Sequence, residues 1–121
     1  MSHVVSIKTR LHDPAAISVA CRRLGLTEPT HGTATMYAGQ TAEGLLVQLP
    51  GWKFAIAIDI QSGEVKADNF SGHWGDQVEL DRFLQSYAVE KCRIEARKQG
   101  HVVTEHQLQD GSIRLQIQEG A

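Results

Sequence analysis

The chain has 121 residues, of which 41% are hydrophobic, 6% aromatic and 21% charged. Its 12 Lys+Arg against 14 Asp+Glu leave a formal charge of -2, which excludes a strongly basic nucleic-acid binder and a polyacidic tail. No apolar run approaches the ~20 residues of a membrane helix, and no leader pattern opens the chain, so one soluble domain over 1–121 is expected.

The first predicted strand covers 3–11, where Val5, Ile7, Thr9 and Leu11 alternate with Ser6, Lys8 and Arg10. Asp13 caps the following helix and Pro14 occupies its first position, where a missing N–H costs nothing. Ile17, Ala20, Cys21 and Leu24 form its apolar stripe, and Gly25 ends it. Strands are then predicted at 33–38, 44–49, 54–60 and 64–69. The third of these sets Ile56, Ile58 and Ile60 against the small Ala55 and Ala57. A two-residue turn at Ser62-Gly63 pairs Ile60 with Val65 and Ile58 with Ala67.

The longest element is a helix over 76–99. Asp76 caps it, and Glu79 completes a pair resembling a capping box. Leu80, Phe83, Leu84, Tyr87, Ala88 and Ile94 share one stripe, with Phe83, Leu84 and Tyr87 expected deepest, while Val89, Cys92 and Ala96 make a weaker second stripe. At ~1.5 Å per residue its far end should overhang a core whose radius of gyration is roughly 14 Å. The chain closes with a hairpin, 101–108 and 112–118, around Asp110-Gly111. A two-residue loop sets Leu108 opposite Ile113, His106 opposite Leu115 and Thr104 opposite Ile117, an apolar face containing one histidine. The order β-α-β-β-β-β-α-β-β implies an α+β fold with a single antiparallel or mixed sheet of six or seven strands and two helices on one face.

Several stretches together resemble a known family. They are Met1-Ser2-His3 with Ile7-Lys8-Thr9, Phe83-Leu84-Gln85 with Tyr87-Ala88, Glu95-Ala96-Arg97-Lys98-Gln99-Gly100, Val103-Thr104-Glu105 and Asp110-Gly111-Ser112-Ile113-Arg114-Leu115. The pattern resembles the domain-of-unknown-function family twelve fifty-seven. That family is also known as the conserved hypothetical chloroplast reading frame thirty-five, of cyanobacteria, algal plastids and other bacteria. The resemblance covers essentially the whole chain, although 28–51 departs from the plastid version. Trp74-Gly75 is similar to the family's aromatic-Gly element before the long helix. It implies a small soluble intracellular protein and carries over no activity, cofactor or catalytic residue.

Chemistry-bearing residue types are densest at 68–76, between a strand and a helix N-terminus. There His73 is a candidate acid or base, Asp68 its orienting partner, Trp74 a stacking platform and Asp76 the helix cap. The 6 histidines lack metal-binding spacings, and no phosphate loop or nucleophile motif occurs, so no metal, cofactor or catalytic residue is assigned. Cys21 and Cys92 read as reduced, partly buried thiols, which makes the cytoplasm the default compartment. The leading reading is a non-catalytic adaptor with a protein partner and an option of self-association, binding through His73 and Trp74. The alternative is a small enzyme or ligand-binding domain using 68–76. Nucleic-acid binding through Lys91, Arg93, Arg97 and Lys98 ranks third, because Glu90 and Glu95 interleave with them.

Overall fold

The computed structural model describes residues 4–8, 10–69 and 73–118. Of the expected elements, Met1, Ser2, His3 and Thr9 at the start and Phe70, Ser71 and Gly72 in the 68–76 loop lie outside the described residues. The elements follow the expected order: β1 (Val4–Lys8), α1 (Pro14–Arg23), β2 (Thr30–Thr35), a 3-10 turn (Tyr37–Gly39), β3 (Thr41–Val47), β4 (Ile56–Ile58), β5 (Glu64–Asp68), α2 (Gln77–Lys98), β6 (Val102–Gln107) and β7 (Ile113–Gln118). The class is α+β.

The strands do not form one sheet. Strands β1 to β5 make a five-stranded sheet in the order β1-β5-β4-β3-β2, antiparallel at every pairing, while β6 and β7 form a separate pair. A single sheet of six or seven strands is thereby corrected. The physical reason is that the terminal hairpin has its own partner, helix α2, which it meets immediately after Gly100.

Both helices cover one face of the large sheet. Ala16, Ile17, Ala20 and Cys21 of α1 and Leu80, Phe83 and Tyr87 of α2 join Val47, Ile56, Ile58, Val65 and Ala67 in the main core. Each large side chain removed from water there contributes roughly 1.5–3 kcal/mol. Leu84, expected among the deepest residues, is only half-buried at the rim. Asp13 caps α1, accepting from the N–H groups of Ala15 (3.0 Å) and Ala16 (3.3 Å), and its own N–H donates to the Tyr87 hydroxyl at 3.2 Å. On the opposite sheet face a smaller cluster holds Ala34, Met36, Ala42 and Ala57 with Leu46.

Strand β4 spans three residues, where seven were expected. The Lys53 N–H leaves the ladder to donate to the Trp74 carbonyl at 2.8 Å, which pulls Phe54 out of the sheet. At its other end Asp59 already pairs with Glu64, so Ile60 belongs to the turn. The β4–β5 register therefore sets Ile58 opposite Val65, two residues from the expected pairing.

The terminal hairpin differs by one residue. Leu108 donates to the Ser112 carbonyl at 2.8 Å and Gly111 to the Leu108 carbonyl at 3.1 Å, which closes a three-residue loop. Gly111 has φ +88°, the left-handed conformation such a loop requires at its last position. Glu105 now faces Leu115, and His106 faces Arg114 on the exposed side, so the expected apolar face with His106 is corrected. Val89 and Ala96 on α2 are buried outside the main core. At 3.6 residues per turn they share a helix face with Gln85 and Arg93, both of which bond to the hairpin. The second stripe is thus covered by the hairpin, and the far end of α2 does not overhang.

Candidate functional site

The residues singled out at 68–76 do not form one constellation. Asp68 ends β5 and is fully buried. Its neighbour Ala67 lies in the main core, so strand alternation turns Asp68 to the opposite face. There Oδ2 accepts from the Tyr37 backbone N–H at 3.0 Å, and Oδ1 has no hydrogen-bond partner among the described residues. Asp76 is the cap of α2: its Oδ1 accepts from the Val78 N–H at 3.0 Å. Glu79, expected to reach back to that cap, instead pairs with Arg82 at 3.2 Å. His73 is exposed beside Trp74.

The two tryptophans divide their roles. Trp52, which the sequence reading passed over, is the buried one. It is 5% exposed and its indole Nε1–H donates to the Asp76 carbonyl at 3.1 Å. Gly75 is required beneath it, since a Cβ at that position would lie 2.4 Å from the indole ring. Trp74 is half-buried, with its N–H donating to the Asn69 carbonyl at 2.9 Å and its carbonyl held by Lys53. Two backbone bonds therefore fix Trp74 between the loop after β5 and the loop before β4.

Around Trp74 a cluster of aromatic rings gathers from three separate segments. Phe54 lies edge-on to it, with centroids 5.5 Å apart and planes at 83°. Tyr37 lies 5.4 Å away at a 34° tilt and is 40% exposed. The Lys53 ammonium sits 4.7 Å from the Trp74 centroid and 5.4 Å from that of Phe54. The chain has only 2 Trp, 2 Tyr and 3 Phe, so three of these rings meeting at a half-exposed position is a concentration of stacking surface. Neither Tyr37 nor Phe54 was legible as a site residue, since 37 and 54 are remote in sequence from 74. The signal available was scarcity: each aromatic outside an amphipathic stripe was a candidate.

Other expected chemistry is accounted for structurally. Of the basic residues on α2, Lys91 pairs with Asp13 at 3.0 Å and Glu95 at 2.9 Å, Arg93 with Glu105 at 3.2 Å, and Lys98 with Glu95 at 3.4 Å. A carboxylate is thus set against three of the four basic residues named above. Cys21 and Cys92 are free thiols, and burial, followed by the nearby Glu28 charge, pushes Cys21 up to about 11. Among the described residues no group of three or more His, Cys, Asp or Glu is placed to hold a metal ion, and no helix is long and apolar enough to cross a membrane. A cavity of about 210 Å³ between the helices and the hairpin is lined by Arg23, Arg82, Ser86 and Glu105. Its two arginines are balanced by Glu90, Glu105 and Glu79.

No family model matches the chain, and neither the curated proteins nor the solved structures contain a match.

Proposed function

We propose that this protein is a non-catalytic binding module of the cytoplasm that engages a protein partner through Tyr37, Phe54 and Trp74, with His73 at the margin. The observation that carries the reading is the half-exposed aromatic cluster itself. Rigid aromatic side chains bring large contact area at low entropic cost, which is why Trp and Tyr dominate interface hot spots. Membership of the family named above is a further proposal, and it adds no activity to this one.

The two tryptophans supply the test. Trp52→Ala should remove about 3–5 kcal/mol of core packing, because a buried indole is lost. Trp74→Ala should cost only about 1–2 kcal/mol, the worth of its ring contacts, and leave the fold intact. The partner is first identified by capture on the intact protein followed by mass spectrometry. Its affinity for purified wild-type, Tyr37→Ala and Trp74→Ala proteins is then measured by calorimetry. A drop of tenfold or more in both variants, about 1.4 kcal/mol or more each, is expected. Unchanged affinity in both would overturn the aromatic surface as the binding site.

A further inference from the structure

The Lys53 ammonium marks what the aromatic cluster selects. Two rings set at 83° form an inside corner, and a cation placed there meets the electron-rich faces of both. Lys53 is an exposed residue with the whole solvent available to it, yet its charge lies over two rings. Beneath the Tyr37 flank, the fully buried Asp68 accepts the Tyr37 backbone N–H through Oδ2 and so fixes that side of the corner.

We propose that the corner between Trp74 and Phe54, flanked by Tyr37, is a recognition site for an arginine side chain of the protein partner, with Lys53 standing in for that cation in the unbound protein. The inference rests on the binding reading above and gives its partner a chemistry. Arginine suits the corner better than lysine. Its guanidinium is planar, stacks on aromatic faces, is weakly hydrated, and carries five N–H donors, whereas an ammonium keeps its water. A partner arginine can therefore displace the tethered Lys53. Lys53 acts as an internal competitor that weakens binding of isolated cations.

The experiment titrates the full chain with N-acetyl-arginine amide and follows the two indole N–H resonances by NMR. Trp52 serves as the internal reference for an intact core. In Lys53→Met the Trp74 resonance should shift on titration, with roughly tenfold tighter binding than in wild type, because the internal competitor is gone. N-acetyl-citrulline amide, the same shape without the charge, should leave it unmoved, and N-acetyl-lysine amide should bind more weakly. Lys53→Gln repeats the test with a polar side chain in case the methionine perturbs the rings. No response from Trp74, an equal response to citrulline, binding as tight for lysine, or equal affinity in wild type and both variants would each overturn the proposal. Loss of partner affinity in Trp74→Ala alongside a silent arginine titration would sink this inference and leave the binding reading standing.

Discussion

In two of the hairpins, β4–β5 and β6–β7, the count of residues in the loop decides which face the strands present. In β4–β5, Asp59 pairs with Glu64, so four residues lie between them. In β6–β7, Leu108 pairs with Ser112 around three. The turn residues alone suggested two in both places. Two extra residues slide the pairing but keep parity, so Ile58 and Val65 still enter the core as their alternation demands. One extra residue reverses the side chains of β6 relative to β7: it puts Glu105 where His106 was expected and turns His106 outward beside Arg114. The consequence is energetic as well as geometric. The first hairpin is held by fully buried apolar residues, whereas the second offers α2 only half-buried Val103, Ile113 and Leu115 together with a charged Glu105.

That charge is met by arginines from both helices. Arg23 reaches Glu105 and also bonds Glu90 at 2.8 Å, and Arg93 reaches the other oxygen of Glu105 at 3.2 Å. Glu90 is itself buried, so the network that joins α1, α2 and β6 carries one carboxylate that water reaches poorly, while Arg23 remains exposed. The contrast between an apolar sheet and an ionically docked hairpin is open to direct measurement.

The largest effect should come from the core. Phe83→Ala, at a fully buried position, should cost about 3–5 kcal/mol in urea unfolding. Leu115→Ala, half-buried in the hairpin, should cost about 1 kcal/mol. Similar losses from the two would erase the distinction between the regions.

A middle-sized effect should come from the network. Arg23→Ala leaves Glu90 buried without that partner, and a loss of about 1–3 kcal/mol is expected. Native-state hydrogen exchange should then show β6 and β7 amides opening well below the free energy of global unfolding, while those of β4 and β5 still report the global value. Uniform loss of protection across all four strands would mean that the hairpin and the sheet unfold as one unit.

The smallest effect concerns the α1–α2 clasp and its response to acid. Burial by itself raises the Asp13 carboxyl, but the Lys91 hydrogen bond and charge and the N–H groups of Ala16 and Ala15 outweigh it, so the net shift is downward. A lowered folded value means that Asp13 contributes stability above its unfolded value near ~3.9 and loses it as pH falls through the folded one. The clasp is partly solvent-exposed, so only a small contribution is expected. Asp13→Asn keeps a good cap but removes the charge. Its urea midpoint should therefore fall less steeply than that of wild type below about pH 4. Parallel curves would show that the pair with Lys91 is energetically silent.

What the sequence by itself determined is what local physics enforces. The period of the apolar residues placed both helices, Asp13 and Asp76 marked their starts, and the order of seven strands and two helices could be read along the chain. Phe83 and Tyr87 were legible as core because a helical stripe has one way to be buried. What only the tertiary structure decided depended on a third body. The number of sheets turned on whether the terminal hairpin would join other strands or lie on α2. Its register turned on a single loop residue that Asp110-Gly111 does not specify, and Glu105 is tolerated on the inner face because Arg23 and Arg93 arrive from elsewhere. The candidate site is the clearest case. Tyr37, Phe54 and Trp74 belong to three loops whose meeting depends on a hydrogen bond from Lys53 to the Trp74 carbonyl and another from Tyr37 to Asp68. No periodicity encodes such a meeting, because each contact joins residues too far apart in sequence for local geometry to bring together.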